Sequence, residues 1–157
     1  MTGSTALAID LDAIGDTRPL WAAWLESARG VLEIDPESLP SDRAEAAEEL
    51  DRAGAGNWRV LLERFAEDHA PAYLRRDAAT SAALRSLASN GVALAVFTDA
   101  PEELARVALA QLGAAQRIVA LETGSDALQR LLEQLGDDAV VVRTREELAG
   151  YASTPAS

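Results

Sequence analysis

Three carboxylates, Asp10, Asp12 and Asp16, fall within seven positions, directly after a short apolar run at residues 5–9. Like charges this close repel, so stability alone gives no reason to gather them at the end of a strand. A carboxylate at a strand end can act as a nucleophile, and a second one nearby can serve as general acid or base. The plainer alternative is that Asp10 and Asp12 only end a strand and cap a turn. A second apolar run, Val92 to Phe97, leads into Thr98-Asp99. A hydroxyl such as Thr98, beside the free amides of a following helix start, suits an anion. Two further strand ends read as Glu122-Thr123 and Arg143-Thr144. Arg143 either points into solvent or ion-pairs bidentately with Asp10 or Asp12 and acts as an internal cation.

The elements that must position these residues alternate. The run at 5–9 reads as a buried strand with Asp10 and Asp12 turned to one rim and Leu11 turned away. Asp16-Thr17-Arg18-Pro19 reads as a helix start. The helix it opens carries Leu20, Trp21, Trp24, Leu25 and Ala28 at helical spacing. A loop with two prolines follows at 35–42, then a short acidic helix over 42–53. A helix from Trp58 is expected to run until Pro71 interrupts it. From residue 78 onward helices alternate with the apolar runs 92–97, 117–121 and 139–142, each a strand. Continuous apolar strands alternating with helices predict a parallel sheet covered on both faces. In such sheets ligands bind beyond the carboxyl ends of the strands. The expected organisation is an α/β core at 1–16 and 77–152, a helical cap at 17–76 and a tail at 153–157.

Composition narrows the partners. Formal net charge is −12, which argues against nucleic acid and against acidic membrane surfaces. No apolar run is long enough to span a bilayer, and no leader pattern is legible, so a cytoplasmic location is the expectation. Cysteine is absent, which removes disulfides and thiolate metal sites, and all 14 basic residues are arginine, which removes any mechanism that needs lysine. His69, the one histidine, reads as a surface or cap-packing residue, and Trp21, Trp24 and Trp58 as cap core.

"AIDLDAIGDT", a helical block, and then "GVALAVFTDAPEELARVALAQLG" together resemble the haloacid dehalogenase-like (HAD) hydrolase superfamily, in its phosphoglycolate phosphatase-like branch. The resemblance implies a three-layer Rossmann-like parallel sheet with a small helical cap inserted after the first strand. It places Asp10 on the nucleophile that becomes phosphorylated and Asp12 on the general acid/base. Thr98 falls on the hydroxyl that holds the phosphoryl group, and Asp99 on a position usually filled by Asn. It also implies magnesium held with the help of Asp10 and Asp12, and a small phosphorylated metabolite as substrate, if the protein is active.

The second half departs from that pattern. The family's third-motif lysine has no counterpart, and Arg130, the nearest basic residue, is expected to face solvent. Thr144 stands where the fourth motif has its magnesium-binding aspartate, with Glu146 and Glu147 out of register. At about 4 Å and an effective dielectric near 20, each unbalanced like-charge pair costs roughly 4 kcal/mol. Each 1.36 kcal/mol is about tenfold in rate. The expectation is therefore a HAD-like hydrolase-fold protein with impaired or lost magnesium-dependent phosphatase activity, acting through binding or assembly. The alternative is an active phosphatase-type hydrolase with Asp10 as nucleophile. Substrate identity and oligomeric state are not legible.

Overall fold

Four apolar runs pair side by side in a computed structural model that describes residues 5–153. The strands are β1 (Ala6–Asp10), β2 (Ala93–Thr98), β3 (Ile118–Thr123) and β4 (Val140–Val142). They form one sheet in the order β3-β2-β1-β4, and every neighbouring pair is parallel. Among the described residues eight α-helices complete an α/β fold of Rossmann-like, three-layer character: α1 (Leu11–Ile14), α2 (Arg18–Val31), α3 (Arg43–Arg52), α4 (Trp58–Tyr73), α5 (Ala78–Ser89), α6 (Glu102–Gln111), α7 (Ala127–Leu135) and α8 (Arg145–Ser153). Among the described residues, no helix is long and apolar enough to cross a membrane.

Strand residues alternate between the two faces. Leu7, Ile9, Leu94, Val96 and Val142 point into the larger core, which also takes in α1, α5, α6 and α8. Ala8, Ala95 and Phe97 point the other way, onto Ala127 and Leu131 of α7. The inserted helices α2 to α4 are not walled off. Trp24, Trp58, Leu62, Ala66 and Ala70 belong to the same apolar cluster as Leu104, Ala105 and Ala108 of α6. The three tryptophans pack as a tilted stack, with ring centroids 5.3 Å apart for Trp21–Trp24 and 5.8 Å for Trp24–Trp58.

Local sequence sets the helix starts. Asp42 accepts the Glu45 amide at 3.0 Å and Asp77 the Thr80 amide at 2.9 Å, each satisfying a donor the helix cannot pair internally. One expected stop does not hold: Pro71 lies inside α4, which continues to Tyr73. A proline in the last turn removes one amide donor, and the burial of Ala66, Ala70 and Leu74 against the core carries the backbone past it. Strand limits also differ slightly, since β1 and β2 extend to include Asp10 and Thr98 themselves, and β3 runs on through Thr123. Ser153 closes α8, and the rest of the expected tail, 154–157, lies outside the described residues.

Candidate functional site

The carboxyl ends of the strands gather most of the residues singled out above. In the ladder, Asp10 pairs with Phe97 and Ile9 with Val142, so Asp10, Phe97 and Arg143 share the sheet face that carries α7. They line a cavity of about 440 Å³ with Asp12, Thr98, Asp99 and residues of α7 and α3. Six carboxylates border this cavity: Asp10, Asp12, Asp42, Glu45, Asp99 and Asp126.

Asp12 is not on the strand. The chain turns into α1 directly after Asp10, whose Oδ1 caps that helix by accepting the Asp12 amide at 3.0 Å. Leu11 goes into the core, fully buried. Asp12 Oδ1 accepts two bonds from Thr17, from its amide at 2.9 Å and its hydroxyl at 2.7 Å. Asp16 turns outward to Arg18 at 2.8 Å, and that guanidinium holds its carboxyl below the usual range. The three crowded aspartates thus have three different surroundings.

The cation beside Asp12 comes from the inserted block. Arg43, first residue of α3, has a side chain only 5 % exposed. Its Nη2 lies 3.1 Å from Asp12 Oδ2 and 2.9 Å from Asp99 Oδ1. Nη1 donates to Thr17 Oγ1 at 2.6 Å, and Nε to Asp99 Oδ1 at 3.0 Å. The backbone amide of Arg43 adds a bond to Asp99 Oδ2 at 2.9 Å. One guanidinium therefore joins the ends of β1 and β2 to the start of α3.

Of the two readings of Arg143, the structure does not show the ion pair with Asp10 or Asp12. Arg143 does line the cavity, but among the described residues it makes no ion pair with either. Its guanidinium lies over the Phe97 ring, 5.5 Å from the centroid, while its amide donates to Glu147 Oε1 at 3.1 Å. A cation over an aromatic face is attracted by the ring quadrupole, and this contact competes with the carboxylates for the side chain. Arg143 acts on Asp10 only through space. Burial raises the Asp10 pKa and the charge of Asp12 raises it further, whereas the Asp12 amide, Arg143 and Arg43 oppose the shift. Asp10 Oδ2 has no hydrogen-bond partner among the described residues.

Thr98 is buried, and its hydroxyl accepts the Ala100 amide at 3.2 Å. Asp99 is held on both oxygens by Arg43. Thr144 caps α8, accepting the Glu147 amide at 3.1 Å, and Glu147 reaches back to the Arg143 amide. This is close to a capping box, which explains why Glu147 follows Thr144 at that spacing. Arg130 does not simply face solvent: it binds Glu122 at 2.9 Å, the Thr123 carbonyl at 2.6 Å and the Ser125 carbonyl, bracing the turn after β3. His69 is exposed and stacks on Phe65 at 4.1 Å, and the tryptophans do not line the cavity.

The donor set does not fit magnesium. That ion takes six oxygens in near-octahedral order, commonly from one or two carboxylates, waters and phosphate. Asp12 Oδ1 is taken by Thr17 and Oδ2 by Arg43, Thr144 is committed to a helix cap, and Asp10 keeps one open oxygen. Among the described residues no group of three or more His, Asp or Glu side chains is placed to hold a metal ion.

Arg43 is the site residue that the sequence reading missed. One signal was there: a cation in the first turn of a helix opposes the helix dipole. In a segment otherwise rich in acids, that placement needs an anionic partner elsewhere. No protein-family model and no curated protein matches the chain.

Proposed function

We propose that this is a HAD-like protein whose magnesium-dependent phosphatase chemistry is impaired or lost, and that its strand-end site serves binding or assembly. The observation that carries this reading is the use of Asp12. A general acid must give and take a proton at the reacting oxygen, within hydrogen-bond reach. Both Asp12 oxygens are engaged, Oδ1 by Thr17 and Oδ2 by the buried Arg43 guanidinium, which leaves neither free for a substrate oxygen. Asp10 stands beside Phe97 in a cavity bordered by six carboxylates, a setting that repels a dianionic phosphate.

One observation favours the second reading, an active hydrolase: Asp10 lines the cavity and its Oδ2 accepts no hydrogen bond among the described residues, which leaves an oxygen for nucleophilic attack. Turnover of an aryl phosphate with magnesium, compared between wild type and Asp10→Asn, separates the two. No turnover above background in either protein is the expected result. Turnover that disappears in Asp10→Asn refutes the reading of a lost activity and makes Asp10 the nucleophile.

A further inference from the structure

Helix α3 is attached unlike its neighbours. Its buried residues are Arg43, three alanines and Leu50, so little apolar area holds it down, whereas α2 and α4 bury tryptophans and leucines. Its two ends are tied by polar contacts of different kinds. At the C-terminal end Asp51 accepts the Trp58 indole N–H at 2.9 Å and the Arg59 guanidinium at 3.1 Å, both from α4. At the N-terminal end Arg43 holds Asp12, Thr17 and Asp99. Midway, Glu48 takes a bond from Ser125 at 3.3 Å. At the pivoting end the chain can turn: Gly54 and Gly56 follow the helix, both at φ 66° where a side chain would be strained.

The helix also divides a cleft. Asp42, Ala44 and Glu45 line the cavity that contains Asp10, and Ala44, Ala47 and Glu48 line a second one of about 590 Å³. Asp99, Gly124 and Ser125 border both.

We propose that α3 is a lid, pivoting at Asp51 and latched by Arg43, and that release of the latch joins the two cavities into one cleft with Asp10 at its base. This rests on the proposed function only in taking that cleft as a ligand site. Its test reads backbone opening and is independent of turnover. Arg43 is a positioning residue here, since it acts by holding α3 over the strand ends.

Hydrogen exchange followed peptide by peptide on the full chain tests the latch. In Arg43→Gln the amides of α3 are expected to exchange at least tenfold faster, still through an opening insensitive to low denaturant, whereas α4 and β2 keep exchanging through global unfolding. In Arg43→Ala, guanidinium chloride at millimolar concentration is expected to restore protection of α3, and sodium chloride at equal ionic strength is not. Should either variant fail to fold, wild type itself decides. Exchange of α3 through a local opening is insensitive to low denaturant, whereas exchange through global unfolding is steeply dependent on it. Exchange of α3 at an unchanged rate in Arg43→Gln, or a denaturant dependence of α3 equal to that of α4, overturns the proposal.

Discussion

Replacing Arg43 by alanine removes every bond its guanidinium makes in the buried ion cluster while leaving its backbone bond to Asp99. The structure sets the size of the loss. Removing one partner of a fully buried ion pair destabilises a protein by about 3–5 kcal/mol, because the remaining charge is left uncompensated. Here the guanidinium is 5 % exposed, and its partners Asp12 and Asp99 are 21 % and 37 % exposed. Water can reach Asp99 once the arginine is gone, and Asp12 still accepts two bonds from Thr17. The loss therefore sits at the lower end, about 3 kcal/mol. At roughly 2–4 °C per kcal/mol for a chain of this size, that lowers Tm by about 6–12 °C. Asp99→Ala leaves Arg43 with Asp12 and Thr17, and costs about 1.5–3 kcal/mol, the range for a hydrogen bond to a charged group. The two residues share bonds, so the double variant is expected to lose about 1–3 kcal/mol less than the sum of the singles. Urea unfolding followed by the fluorescence of the packed tryptophans measures all three. A loss below about 0.5 kcal/mol for Arg43→Ala, the scale of ordinary surface changes, refutes the argument. So does strict additivity.

Two further outcomes follow from single positions. Burial raises the Asp10 pKa above its unfolded value, so the folded state disfavours the charged form. That penalty is absent while the group is protonated in both states and sets in as pH rises through the folded pKa. Asp10→Asn keeps the capping oxygen and removes the charge. It should raise Tm at about pH 7, with the gain vanishing towards about pH 3, and a loss at neutral pH would contradict the assigned cause. Gly113 has φ 71°, and a Cβ there would lie 2.8 Å from the Arg76 guanidinium carbon. Gly113→Ala should cost about 1–2 kcal/mol from the left-handed backbone alone, and a neutral effect in chemical unfolding would count against it. Arg76, which bonds the Gln111 carbonyl at 3.1 Å, would be displaced as well.

Much of the architecture is local information. The apolar runs ending at Asp10, Thr98, Thr123 and Val142 pair as strands because their side chains can be buried on both faces, and Asp42 and Asp77 mark helix starts because their carboxylates satisfy free amides. Strand alternation puts Asp10 and Arg143 at carboxyl strand ends by reading alone, and the order β3-β2-β1-β4 then makes those strands neighbours. The sequence also excludes a lysine or a thiolate from the site, whatever its fold.

What only the tertiary structure decided is which charge meets which. Arg143 and Arg43 are equally cationic in the sequence, and Arg143 is the nearer to Asp10 along the sheet. The Phe97 ring draws Arg143 aside, while α3, returning over the strand ends from 31 residues beyond Asp12, inserts Arg43 between Asp12 and Asp99. Likewise Asp12 left the strand because the Asp10 side chain caps a helix that begins one residue later. Pairings of this kind depend on long-range packing of small residues such as Ala46 and Ala47, and no local pattern encodes the distance over which a guanidinium must reach.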